Sequence, residues 1–120
     1  MAFLSLKFVT DVRDTDYEVV EFHGELDKST QEATEKQILD LLATYKRRWL
    51  IFDLSDLTFI NSEGIGFLVA LHTKLTKKEQ QLLLSGVSSH VADIFDVIGL
   101  GRIIPTFPTL LEAIHHIKKT

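Results

Sequence analysis

Two aspartates three residues apart, Asp53 and Asp56, follow an apolar run that begins at Trp49. Carboxylates at the end of a central strand in an open α/β sheet stand where such sheets hold catalytic groups or phosphate acceptors. Turn polarity explains the same pair without chemistry, because Asp side chains readily hydrogen-bond nearby backbone. Five histidines, His23, His72, His90, His115 and His116, raise the question of a metal. They contain no HExxH pair, and adjacent residues on a helix point about 100° apart, so they read as surface or boundary residues. Gly64-Ile65-Gly66 opens a helix after a strand, where a phosphate loop would lie. Position 69 is Val where a dinucleotide fingerprint needs a third glycine, and the Lys-Ser or Lys-Thr of a P-loop is missing. The two glycines are better explained as letting a helix start close against the sheet. Ser62 lacks both a partnered His and a Gly-x-Ser-x-Gly turn, which gives hydrolase chemistry little support and leaves a residue suited to a helix start.

These residues need elements to position them. Phe3 to Val9 and Tyr17 to His23 are short, rich in Phe and Val, and separated by the turn-forming Asp14-Thr15-Asp16, which predicts a β-hairpin. After Gly24, the stretch Asp27 to Glu32 offers several caps, with Ser29 and Glu32 at capping-box spacing. The stripe Thr34, Ile38, Leu41, Leu42 and Tyr45 then marks a helix. Trp49 to Leu54 is long enough only for a buried strand. Asn61 or Ser62 caps a second helix with the face Ile65, Leu68, Leu71, His72 and Leu75. Gln81 to Leu84 is the next strand, and Ser88 or Ser89 caps a helix that Gly99 stops. Arg102 to Phe107, with Pro105 inside it, reads as an edge strand. Thr109 and Glu112 form a second capping box before Leu110, Ala113, Ile114 and Ile117. A hairpin followed by alternating helices and strands predicts the α/β class: a mixed sheet, later strands parallel, with about four helices.

Length and composition narrow the function. The 120 residues suit one domain, so 1–120 reads as a single unit without linkers, repeats or low-complexity tracts. Thirteen Lys and Arg against 17 Asp and Glu give a net charge of -4, which lacks the basic footprint of a nucleic-acid binder. The absence of cysteine excludes disulfides, thiol catalysis and thiolate metal sites. No apolar run reaches the roughly 18 to 20 residues of a membrane span, and Met1 to Thr10 has no secretory pattern, so a cytoplasmic location without membrane insertion is expected.

The stretch Phe-Asp-Leu-Ser-Asp-Leu-Thr-Phe-Ile-Asn-Ser-Glu-Gly-Ile-Gly from Phe52 to Gly66 resembles the signature of the STAS domain family, found in anti-sigma factor antagonists. Gly24-Glu25-Leu26-Asp27 is similar to that family's Gly-Glu-Leu-Asp, and Phe95 to Leu100 to its Phe-x-x-x-Gly-Leu. The resemblance implies a STAS-like α/β domain and a protein-interaction switch with no catalysis of its own and no cofactor or metal. Its partner would be an anti-sigma factor that is also a serine kinase. Phosphorylation at Ser62 would release that partner, and a phosphatase would reverse the modification. Partner contacts would map to Asp27, Asn61, Ser62, Glu63 and Gly64. Asn61 replaces the usual Asp of the motif, and Glu63 replaces a small residue, moving one carboxylate from before the serine to after it. Ser62 therefore stands as phosphate acceptor, as helix cap, or as both. Two further readings stay open: an unphosphorylated STAS scaffold in a signalling or transport complex, and a phosphorelay receiver using Asp53 or Asp56. For the receiver, the acidic pair needed after the first strand is missing from Phe8-Val9-Thr10-Asp11.

Overall fold

The computed structural model describes residues 2–10 and 16–119. Strands β1 (Leu4–Val9) and β2 (Tyr17–Leu26) pair antiparallel, from Leu4 opposite Gly24 to Val9 opposite Val19. The expected hairpin pairing is therefore present, while Asp14 and Thr15 of the predicted turn lie outside the described residues. Strands β3 (Trp49–Ile60), β4 (Gln81–Ser85) and β5 (Thr106–Phe107) add in parallel, giving the order β1-β2-β3-β4-β5. Helices α1 (Lys28–Thr44), α2 (Ser62–Lys77) and α3 (Ser89–Ile98) make the successive crossovers, and α4 (Leu110–Lys119) follows β5.

The period-two alternation of a strand explains how both faces are filled. Val20, Phe22, Leu50, Phe52, Leu82 and Leu84 face the layer formed by α1, α2 and α3, where Ile38, Leu68, Leu71 and Phe95 close the larger core. Tyr17, Val19, Trp49, Ile51 and Leu83 face the opposite way and pack against Ala113 and Ile117 of α4. Trp49 to Phe52 reads as an unbroken apolar run because helices cover both sides of this central strand.

The strand β3 continues six residues beyond the expected end at Leu54. Its second half pairs with β2 through two register irregularities, between Glu21 and His23 and between Gly24 and Glu25. An irregular ladder breaks strict alternation, so Leu57 and Ile60 are buried while Asp56, Thr58 and Phe59 are exposed. The last strand is shorter than expected, since Leu100–Arg102 forms a 3-10 turn and only Thr106 and Phe107 pair. Its edge position agrees with the constraint that Pro105 imposes.

The first helix is capped two residues earlier than the Ser29–Glu32 spacing suggests. Asp27 Oδ1 accepts from Ser29 N at 2.8 Å and Thr30 N at 3.3 Å, and Thr30 Oγ1 accepts from Asp27 N at 3.1 Å. An ionised carboxylate is a stronger acceptor than a hydroxyl, and the Ser29 hydroxyl itself donates to it at 2.7 Å. Ser88 caps α3, Gly99 ends it with a φ of 71°, and Thr109 Oγ1 accepts from Glu112 N at 3.1 Å.

Gly24 is a position where side-chain absence is required. Its φ is +126°, and an added Cβ would stand 2.0 Å from the carbonyl oxygen of Phe3, which accepts from Glu25 N at 2.8 Å. Gly24→Ala should destabilise the fold by at least about 1 to 3 kcal/mol in chemical denaturation, with the β1 amides losing hydrogen-exchange protection first. Unchanged β1 protection would show that this close approach is not required.

Candidate functional site

Leu26 and Ile60 face each other at the last rung of the parallel β2–β3 ladder. The next residue of each strand caps a helix: Asp27 for α1 and Asn61 for α2. Asn61 N donates to the carbonyl of Leu26 at 3.0 Å, so the two helix starts are tied together at one end of the sheet. Asn61 Oδ1 accepts from Gly64 N at 2.8 Å, which settles the alternative left by the sequence. Asn61 is the cap, and Ser62 is the first residue of the helix, exposed, with its hydroxyl outside the cap. Glu63 is exposed in the first turn, where a carboxylate complements the helix dipole.

Gly64 is buried beneath this surface. A Cβ there would lie 2.9 Å from Ile60 Cγ1 and 2.9 Å from Leu26 Cδ2, so the glycine lets the first turn of α2 seat on the end of the ladder. Gly66 has open space around its Cβ position, so close packing accounts for the first glycine of the pair and not the second. The carboxyl of Asp27 is held below its ordinary value of 3.8 mainly by the Ser29 hydroxyl; desolvation opposes this as the next-largest effect, and the backbone N–H groups of Ser29 and Thr30 add smaller lowering contributions.

Asp53 and Asp56 lie within β3, not beyond its end. Asp53 pairs with Glu21 and Ser85 across the sheet, and its Oδ1 accepts from Ser55 N at 3.1 Å. Asp56 Oδ2 is 2.9 Å from His23 Nδ1, whose other ring nitrogen is 3.0 Å from Glu21 Oε1. The mid-strand placement follows from the extra half of β3, whose polar residues concealed it in the sequence. His116 packs against Trp49 and Phe107, with ring centroids 5.8 and 5.1 Å away.

An antiparallel hairpin leads into a parallel sheet, and two helix starts are tied at the ends of β2 and β3. The STAS domain model matches residues 8–113, and the chain belongs to this family. The anti-sigma-B factor antagonist of Listeria monocytogenes is 29% identical over 92 residues, covering 77% of this chain and 80% of that protein. An anti-sigma factor antagonist from Mycobacterium paratuberculosis superposes with a TM-score of 0.85 at 25% identity, covering 97% of this chain and 95% of its own. The anti-sigma factor antagonist SpoIIAA in its unphosphorylated form shares the fold, with a TM-score of 0.77 at 22% identity over 97% of this chain and 98% of its own. Among the described residues no helix is long and apolar enough to cross a membrane.

The two caps give separable expectations. Asn61→Ala should lower the unfolding free energy by about 0.5 to 2 kcal/mol, whereas Ser62→Ala should stay within about 0.5 kcal/mol of the parent. Urea denaturation of both variants checks this, and equal losses would return the cap to Ser62. For Asp27, a depressed folded pKa means a contribution to stability that is complete above its unfolded value and fades as pH falls through the folded one. A carbon-13 titration should therefore place the Asp27 midpoint below 3.8 and show Ser29→Ala moving it upward. No movement in that variant would remove the hydroxyl as the main cause.

Proposed function

We propose that this protein is an anti-sigma factor antagonist that works by reversible binding and catalyses no reaction. Its partner is an anti-sigma factor with serine kinase activity, and it acts in the cytoplasm as the single unit 1–120, without cofactor or metal. The surface that binds is formed by Asp27, Asn61, Ser62 and Glu63 at the tied helix starts, with Gly64 supporting it from below. Ser62 is the switch. The kinase transfers the γ-phosphoryl group of ATP to Ser62 Oγ, the hydroxyl proton leaves and ADP is released; a phosphatase hydrolyses the ester.

The observation that carries this reading is the division of labour at the start of α2. Asn61 satisfies the cap, so the exposed Ser62 hydroxyl is available for modification without unravelling the helix. A phosphate of roughly -1.5 to -2 charges at a helix start is tolerated by the dipole and the first-turn N–H groups. Beside Asp27 and Glu63 the same charge adds to an already anionic edge, so its main effect falls on a partner docked there. The names of the relatives at 23 to 29% identity, all anti-sigma factor antagonists, support the same reading.

Ser62→Asp should weaken binding to the anti-sigma kinase at least about tenfold in calorimetry, while Ser62→Ala retains it, because only the former puts a desolvated charge in the contact. The caps predict similar stability for the two variants, so a difference in affinity reports the interface. Equal affinity for both would refute the switch.

A further inference from the structure

Strand β1 is one edge of the sheet, and among the described residues no strand pairs with its outer side. Glu25 N donates to the carbonyl of Phe3 on the inner side. Antiparallel strands exchange their bonds at every second residue, so Ser5, Lys7 and Val9 also turn their N–H and C=O groups toward β2, while Leu4, Leu6 and Phe8 turn theirs outward. The opposite edge is blunt, since β5 has two residues and follows Pro105. By contrast β1 has six residues, no proline and an unbroken register with β2, and only Lys7 guards it. We propose that this edge pairs with β1 of a second copy of the chain, antiparallel about a two-fold axis at Leu6, joining two five-stranded sheets into one continuous sheet.

The residues of β1 select this occupant and this register. Outward groups must meet outward groups, so Leu4, Leu6 and Phe8 can pair only with one another. With the axis at Leu6, Leu6 faces the partner's Leu6 and Leu4 faces the partner's Phe8, an apolar row on the side where Leu4 and Leu6 pack against the larger core. On the other side Ser5 faces the partner's Lys7, and Phe3 faces the partner's Val9. Apolar thus meets apolar and polar meets polar from Phe3 to Val9, and the pairing covers Phe3, Phe8 and Val9, which are 67, 42 and 36% exposed. An axis at Lys7 sets two ammonium groups opposite each other, and one at Ser5 sets Phe3 against Lys7. An axis at Leu4 sets Phe3 against Ser5, and one at Phe8 sets Lys7 against Val9.

A two-fold pairing is closed, so assembly stops at the dimer. Its outward pairs exchange about six backbone hydrogen bonds, and its area is confined to one strand edge, which places it among weak, reversible interfaces. The axis stands perpendicular to the sheet and reverses the strand direction. The tied starts of α1 and α2 therefore lie at opposite ends of the dimer, and neither is covered by the pairing. Nothing in this arrangement depends on what binds at Ser62.

The test is analytical ultracentrifugation of the intact protein from about 10 μM to about 1 mM, the range a weak interface requires, with amide hydrogen exchange at both limits. The mass should rise with concentration toward twice that of the chain and no further. Exchange at Leu4, Leu6 and Phe8 should slow at the high limit, while Ser5 and Lys7, already bonded to β2, change little. Ser5 is exposed, so the fold accepts a charge there. Ser5→Glu places a carboxylate opposite the partner's Lys7 on both sides of the axis and should tighten the dimer about threefold or more, whereas Ser5→Lys should weaken it by a similar factor. A monomer at every concentration would leave the edge to some other chain and overturn the proposal. Growth beyond a dimer, association without slower exchange at the three outward amides, or equal affinity in the two Ser5 variants would overturn it as well.

Discussion

The hydrogen bond from Asn61 N to the carbonyl of Leu26 closes the β2–β3 ladder, and the end of the molecule that carries both helix starts is organised around it. Parallel strands send their chains out at the same end, and each exit here is followed within one residue by a helix cap. The bond fixes the distance between the two exits, so Asp27 and Asn61 cannot be moved independently. Gly64 is the steric counterpart of the same constraint, since Leu26 and Ile60 occupy the space its side chain would take.

The electrostatics of that end follow from which residues accept hydrogen bonds. Asp27 is ionised and engaged with three donors, so its charge is partly committed to α1. Asn61 accepts a helix N–H as an aspartate would, but brings no charge beside Ser62. The carboxylate of Glu63 lies on the helical side of the serine, where the dipole of α2 favours it. The motif thus keeps its total charge while the hydroxyl has an uncharged residue on one side and an acid on the other.

A second polarity runs along the helices. Their starts present acids and hydroxyls, while the end of α2 presents lysines around an apolar recess. Parallel crossover helices on one face of a sheet align their dipoles, which places anionic and cationic side chains at opposite ends at little energetic cost. The α4 face is organised differently, with one helix covering Trp49, Ile51 and Leu83, while His23 lies between Glu21 and Asp56 further along the strands.

The sequence alone determined the α/β class, the four helices and the central buried strand, because each leaves a local trace. The stripe of Thr34, Ile38 and Leu42 has the helical period, and Trp49 to Phe52 shows the unbroken apolarity of a strand covered on both faces. The motifs around Asp27 and Ser62 were equally legible, since they occupy contiguous residues. Tertiary structure decided what contiguous residues do not encode. It extended β3 to Ile60, because an irregular pairing with β2 masks the alternation that would announce a strand. It assigned the caps to Asp27 and Asn61, because Ser, Asp and Asn are all competent and only the angle at which each chain leaves the sheet selects among them. It placed Asp53 and Asp56 within a strand, and it brought Leu39 and Ala43 opposite Lys74 and Lys78. Such proximities arise from crossover geometry between segments more than thirty residues apart, which no local pattern records.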